Sequence, residues 1–276
     1  MKLPLLKTAE RVYKRRIARL FCKRTHRIQL DTPLISFSFD DFPRSALQAG
    51  GSILKTYGLS GTFYVSLGCL GQDSPSGRLC SADDVIKAVK DGHELGCHTF
   101  SHCHSWDTKS AVYEHSIIEN EIALGRIVPG VRFESFSYPI SRPRPSVKRA
   151  ASRHFAGCRE GGQQPNVGTV DLHQIGAYFL EKSGKDIQEV KKVIDLNHKR
   201  RGWLVFATHD VADAHSPYGC TPEFFREVTE YAVQCGAQVL PVGRALELLG
   251  AKTPSANGRD AECASHAALP SGLSGR

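Results

Sequence analysis

With 276 residues, 41% of them hydrophobic, the chain can bury a core of its own, and no apolar run approaches the length of a membrane span. Nine cysteines, an odd number without a CxxC pair, argue against a zinc ribbon or a disulfide framework and suit reduced thiols in a cytosol. The net charge of +8 is local: residues 1–27 hold ten Lys and Arg against Glu10 alone, a net of +9, which leaves −1 for the other 249 residues.

In this N-terminal arm, residues 1–31, Leu5, Leu6, Ala9, Val12, Tyr13, Ile17, Leu20 and Phe21 recur at helical spacing with cations between them, which predicts a basic amphipathic helix. Such a helix either docks on the body with its charges solvated or lies on an anionic membrane surface. The stretch "LPLL" after Lys2 is too short for a secretory signal, so the expectation is a cytoplasmic protein, peripheral at the inner face of the membrane if the arm serves that role. Without aromatic interleaving along the arm, no nucleic-acid partner is expected.

From Thr32 onward, short apolar runs alternate with helical patterns. "PLISFSFD" (33–40) reads as a strand, 43–57 as a helix after a proline start, "GTFYVSL" (61–67) as a strand, and 68–80 as a Gly/Ser/Pro loop. Ser81 is the N-cap of a helix with an acidic first turn and Gly92 as terminator. A strand at 93–99, a long polar helix at 109–128, an alternating strand at 132–138 and a helix at 145–153 follow. "HFAGC" (154–158) and "HQIGAYFL" (173–180) read as strands around a glycine-rich loop at 161–168. A helix at 185–200, a strand at 202–209, a helix at 222–235 capped by Thr221, a strand at 237–242 and the helical "GRALELLG" close a domain spanning 32–250. The Ala/Ser/Gly/Pro-rich tail at 251–276 reads as disordered.

Repeated strand-then-helix order predicts an α/β fold, a parallel sheet or barrel with helices outside. Chemistry in such folds gathers where strands end at their C-terminal side. "DD" (40–41), "HTFSH" (98–102), "SYPI" (137–140) and "THD" (208–210) each fall at such an end, so four distant segments converge on one rim. Imidazole nitrogen and carboxylate oxygen are the donors a catalytic zinc-like ion favours, three from the protein with an open position for water. His98 and His102, four apart on a turn of helix, can point at one ion, and a carboxylate from the first strand completes the set. Two adjacent carboxylates allow one to bind the ion while the other takes a proton.

"SFSFDD", "GHELGCHTFSH", "FSYP" and "LVFATHDV", in this order and at these separations, resemble the polysaccharide deacetylase family, also called the NodB-homology domain or carbohydrate esterase family four, over about Thr32 to Gly250. The resemblance implies a distorted (β/α) barrel that removes acetyl groups from N-acetylated sugars with a divalent metal, usually zinc. It implies Asp40 as the catalytic base, Asp41, His98 and His102 as metal ligands, and His209 as the general acid. The N–H of Ile140, after Pro139, would hold the developing oxyanion. Tyr138 and Pro139 are the candidate substrate contacts, with a place in the core as the equal alternative for Tyr138. The implied partner is an N-acetylated glycan.

Departures from the family pattern are specific. Ser137 stands where an arginine commonly steadies the base, leaving Arg142, Arg144 and Arg159 as substitutes. Ile140 replaces a frequent tyrosine, and Ala207 an apolar pocket residue. No Asp-rich fourth motif is present, so Asp171 and Asp210 are the candidates to tune His209. These departures leave a non-catalytic glycan-binding protein, or a hydrolase of another small amide, as alternatives. Among neighbouring residues, Cys97 and Cys103 read as packing, and His93 and His104 as solvated or hydrogen-bonded rather than ligating. Trp106, followed by Asp107, reads first as a helix-packing aromatic and second as a sugar platform.

Overall fold

A computed structural model describes residues 12–14, 16–140, 142–184 and 186–251. The expected tail at 251–276, apart from Ala251, and the first eleven positions of the arm lie outside the described residues. The strands are β1 (Thr25–Arg27), β2 (Leu34–Phe39), β3 (Thr62–Val65), β4 (Asp73–Ser74), β5 (Gly77–Arg78), β6 (Glu94–Cys97), β7 (Phe136–Ser137), β8 (Cys158–Gly161), β9 (Thr169–Asp171), β10 (Ile175–Phe179), β11 (Trp203–Thr208) and β12 (Gln238–Val239).

Seven of them, in the order β2-β3-β6-β7-β8-β10-β11, pair in parallel and close into a barrel through β11 against β2. The closing seam runs from Trp203 opposite Leu34 to Thr208 opposite Phe39. β12 takes the lower half of the other edge of β2, which β3 leaves open because it begins only opposite Ser38. Both faces of β2 and β11 are buried, as a parallel strand inside a ring of helices must be. Alternate residues divide the labour: Ile35, Phe37 and Phe39 join the outer aromatic layer with Phe63, Phe206 and Phe225, while Ser36 and Ser38 face inward.

The ring helices are α1 (Ser52–Thr56), α2 (Ala82–Lys90), α3 (Ser110–Ile127), α4 (Pro145–Ser152), α5 (Ile187–Arg200) and α6 (Pro222–Gln234). Ser81 and Asp84 form a reciprocal capping box on α2, and Thr221 accepts the N–H of Phe224 at the start of α6. The predicted helix at 43–57 begins as a π-helical stretch, Ala46–Gly51, before α1. The last helix, α7 (Val242–Leu248), plugs the N-terminal mouth of the barrel. The N–H of Val242 donates to Thr62 Oγ1 at 2.8 Å and that of Gly243 to Glu94 Oε2 at 2.8 Å. A Cβ at Gly243 would stand 2.7 Å from that carboxylate oxygen, so only glycine allows the approach. Leu246 packs among Trp203, Val205, Ala177 and Ile175 on the barrel floor.

Several expectations change. "HFAGC" is not the strand: β8 starts at Cys158 and carries Arg159 and Glu160, because pairing with Phe136 and Ser137 on one side and Ile175–Ala177 on the other fixes its register. The strand predicted at 132–138 shortens to two residues. The loop at 68–80 contains the hairpin β4–β5.

The arm is stitched to the body. β1 pairs antiparallel with β9, Ala18 is fully buried, and its carbonyl accepts Lys148 Nζ at 3.0 Å. Lys148, itself fully buried, is ion-paired with Asp171. No helix among the described residues is long and apolar enough to cross a membrane.

Candidate active site

The carboxyl ends of the barrel strands converge as the sequence predicts, and a cleft of about 960 Å³ opens above them. Asp40 and Asp41 follow β2, His98 follows β6 and His209 follows β11, and all four line the cleft. Ligand atoms of Asp41, His98 and His102 lie within 4.8 Å of one another. Asp41 Oδ1 is 3.0 Å from His102 Nε2 and 3.5 Å from His98 Nε2.

The histidine pair is not on a helix, which corrects the reading of its spacing. Residues 98–104 form a loop in which Thr99 (φ 59°) and His102 (φ 50°) are left-handed, as are Asp41 (φ 61°) and Phe42 (φ 48°). Such conformations cost about 1–3 kcal/mol each and persist only where the surroundings over-determine them. Here Thr99 Oγ1 accepts the N–H of Cys103 at 2.9 Å, and Ser116 Oγ on α3 accepts those of Phe100 and Ser101 at 3.0 and 3.2 Å. The left-handed turns point two imidazoles from one short loop at the same carboxylate.

Each ligand is oriented from behind. His98 Nδ1 lies 2.8 Å from the carbonyl of Ser137, which makes it the protonated nitrogen and leaves Nε2 with a lone pair toward Asp41. Burial pushes the His98 imidazolium down to about 4, so the ring is neutral, as a ligand must be. Ser76 Oγ, from the β4–β5 hairpin, donates to Asp41 Oδ2 at 3.2 Å; nothing in the sequence marked this serine. Burial disfavours the Asp41 anion, but the hydrogen bond from His102 and the charges of His98 and His102 outweigh it and hold the carboxyl far below its ordinary value. For His102 burial acts in the opposite sense, and the Asp41 contact wins, raising its value. A neutral imidazole, a second imidazole and an anionic carboxylate fit a divalent ion.

Asp40 sits beside this trio, 5% exposed. Arg159 Nη2, from β8, donates both to Asp40 Oδ1 and to Ser137 Oγ. Arg159 therefore does the steadying that Ser137 cannot, reaching across the barrel from the position opposite Ser137 in the β7–β8 register. Burial raises the Asp40 value, but Arg159 followed by His98 and His209 outweigh it, and the carboxylate stays ionised. Arg159 stacks over the Tyr64 ring at 4.9 Å, and Gly96 makes room for that ring, since a Cβ there would lie 2.3 Å from it. The other two candidates are engaged elsewhere: Arg142 donates to the Gly161 carbonyl at 3.4 Å and Arg144 to that of Thr108.

His209 Nδ1 is 3.3 Å from the carbonyl of Tyr218, so a backbone oxygen takes the place of a tuning carboxylate and leaves Nε2 to the cleft. Its ring lies between Phe179 and Tyr218, at 6.2 and 5.4 Å. Neither candidate carboxylate serves it. Asp210 accepts the N–H and hydroxyl of Ser216, and Asp171 holds Lys148 and the N–H of Arg24.

Ile140 lines the cleft at 67% exposure and φ 63°, an outlying conformation for a β-branched residue. Tyr138 borders the cleft but is 6% exposed, with its hydroxyl donating to the His173 carbonyl at 3.1 Å. Pro139 is buried and is not among the residues lining the cleft. Ala207 is fully buried in the barrel floor beneath the site. Trp106 packs against the arm helix, with Tyr13 and Lys14 on its ring, and also forms part of the cleft wall, its Nε1 donating to the Arg142 carbonyl at 2.8 Å. Cys97 packs in the core beside Asn120, as its place in the strand predicts. His93 accepts the N–H of Gly61, and His104 lies 2.6 Å from Asp107.

A closed parallel barrel thus carries a His-His-Asp cluster and a second aspartate at its carboxyl rim, and this arrangement has counterparts among known proteins. Residues 27–156, just under half of the chain, match the family described as polysaccharide deacetylase. Among solved structures, the Xyl-CE4 domain of a multidomain xylanase from the hindgut metagenome of Trinervitermes trinervoides aligns with a TM-score of 0.58 and 18% identity, over 83% of this chain and all of that one. A family 4 acetyl xylan esterase from Clostridium thermocellum, in complex with a cobalt ion, aligns at 0.56 and 20%, over 80% and 93%. The chitin deacetylase of Colletotrichum lindemuthianum aligns at 0.55 and 16%, over 79% and 89%. These likenesses establish the fold. A curated relative, a gellan lyase from Bacillus sp, is 24% identical over 216 residues; the match covers 72% of this chain and 8% of that protein's length.

Proposed function

We propose that the protein is a metal-dependent hydrolase that removes N-acetyl groups from an amino sugar of a polysaccharide, oligosaccharide or glycolipid precursor. The observation that carries this reading is the meeting of Asp41, His98 and His102 within 4.8 Å beside an ionised Asp40. Zinc is the ion the donor set favours, and Asp41, His98 and His102 would hold it. Bound there, a divalent ion acidifies water and polarises an acyl carbonyl.

The chain's own groups supply the rest. Asp40 accepts the proton of the attacking water, and Arg159 keeps it anionic and aimed between turnovers. A base with so low a pKa is weak, so it serves only water that is already acidified, which is why base and metal site belong together. The N–H of Ile140, turned by its left-handed backbone, faces the oxygen on which charge develops. His209 Nε2 gives a proton to the departing nitrogen, a step an amide needs more than an ester does. The products are acetate and a free amine.

Acetyl xylan esterase among the structural neighbours makes the ester the nearest competing substrate. A release assay over N-acetylated chitooligosaccharides, simple acetamides and acetylated xylan, with and without chelator, separates them. Chelator-sensitive acetate release from the amino sugar supports the proposal; glycan binding without release from any substrate contradicts it. A cytoplasmic location is part of the proposal, and thiols such as those of Cys80, Cys97 and Cys158 are compatible with it.

A further inference from the structure

The arm divides its faces in an unusual way. Residues 12–14 and 16–20 are helical. The stripe turned toward the body carries Lys14, over Trp106, and Ala18, buried against Lys148. The opposite stripe is in solvent, yet it is apolar as well as charged: Val12, Leu20 and Phe21 are 41%, 65% and 51% exposed, while Tyr13, beside Lys14, leans on the Trp106 ring. Arg16, Arg19, Lys23 and Arg27 are exposed among and after them, and no Asp or Glu occurs between Arg11 and Leu30. A helix docked only for packing turns its large apolar residues inward. Here the buried place goes to an alanine while a leucine and a phenylalanine point outward between cations, the layout of a helix that lies in a membrane interface.

We propose that this face docks on an anionic lipid bilayer, with Leu20 and Phe21 entering the boundary between headgroups and acyl chains and the four cations meeting lipid phosphates. The arm is not a loose tether. β1–β9 pairing and the Lys148–Asp171 pair fix it to the barrel, and Lys14 lines the cleft. Docking therefore fixes the orientation of the cleft, and the substrate it receives is an acetylated sugar carried at that surface. Only this last clause rests on the deacetylase reading.

The test is co-sedimentation of the full-length, metal-loaded protein with vesicles of phosphatidylcholine alone or mixed with phosphatidylglycerol, alongside acetate release from a soluble chitooligosaccharide and a thermal melt. Binding to the mixed vesicles alone is expected. Arg16→Gln/Arg19→Gln/Lys23→Gln/Arg27→Gln should lower partition by on the order of 10²–10³-fold, from the usual contribution of each cation near such a surface. Leu20→Ser/Phe21→Ser should lower it at unchanged charge, with soluble turnover and melting unchanged in both variants. Equal partition of wild type and both variants overturns the proposal. So does retention on duplex RNA as strong as on vesicles and indifferent to Leu20 and Phe21. Vesicle binding without acetate release leaves the docking face standing and removes the deacetylase reading instead.

Discussion

Arg159 and Ser137 stand opposite each other on adjacent parallel strands, and the guanidinium that steadies Asp40 comes from the Arg159 side. The hydroxyl of Ser137 accepts a second bond from the same nitrogen, so a short residue here makes room for the long one across from it. Arg159→Ala should leave Asp40 buried and unpaired, destabilising the fold by about 3–5 kcal/mol and lowering turnover by about 10²-fold or more. Exchange of the pair, Ser137→Arg with Arg159→Ser, should restore part of the turnover that Arg159→Ser alone removes. Melting curves and acetate release check both, and a double variant no better than the single one would show that the two positions are not interchangeable.

His102 and Asp41 face each other at 3.0 Å and would hold the ion in the proposed site, while His98 is additionally fixed by the Ser137 carbonyl. His102→Ala or Asp41→Asn should therefore weaken metal binding by about 10–100-fold or more, measured by calorimetric titration of chelator-treated protein. Asp40→Asn should leave metal affinity within a few-fold and remove turnover.

Lys148 is fully buried with Asp171, the Ala18 carbonyl and Gln174 as its partners. Lys148→Ala strands the Asp171 charge and should destabilise the protein by about 3–5 kcal/mol. Because those contacts also hold the arm, limited proteolysis should cut residues 18–24 faster in the variant than in wild type.

Glu94, beneath the site, is pushed up to about 7 by burial, against the hydrogen bonds from Ser135, Gly243 and Thr62. A carboxyl whose folded value lies above its unfolded one favours the folded state while protonated and loses that preference as pH rises from about 4.5 through about 7. Glu94→Gln should remove this loss, so that the difference in melting temperature between variant and wild type shifts in favour of the variant, by several degrees, between pH 5 and pH 8. A difference that does not change with pH would show that Glu94 titrates normally.

The long elements were legible because one physical pattern governs each. β2 and β11 are continuous apolar runs, and α2 announces itself by its capping box. Asp40, Asp41, His98, His102 and His209 were found from strand ends and motif order, and the fold brings them to one cleft. What the sequence hid depends on register and backbone shape. Choosing Arg159 among three arginines requires knowing that β8 begins at Cys158, which pairing on both sides decides. The loop geometry of the histidine pair rests on left-handed residues at Thr99 and His102, neither of them a glycine that would mark the turn. The partner of His209 is a main-chain carbonyl, which leaves no side-chain signal. β1 and β9 are three residues each, too short for periodicity to show.

The central claim is that Asp41, His98 and His102 hold one divalent ion and Asp40 acts beside it. Its most direct test is metal content measured together with acetate release on the same zinc-reconstituted samples of wild type and Asp40→Asn. The account predicts an equal metal content in both, with release by wild type alone. Wild-type protein that takes up no metal, or an Asp40→Asn variant that turns over as fast as wild type, would contradict it.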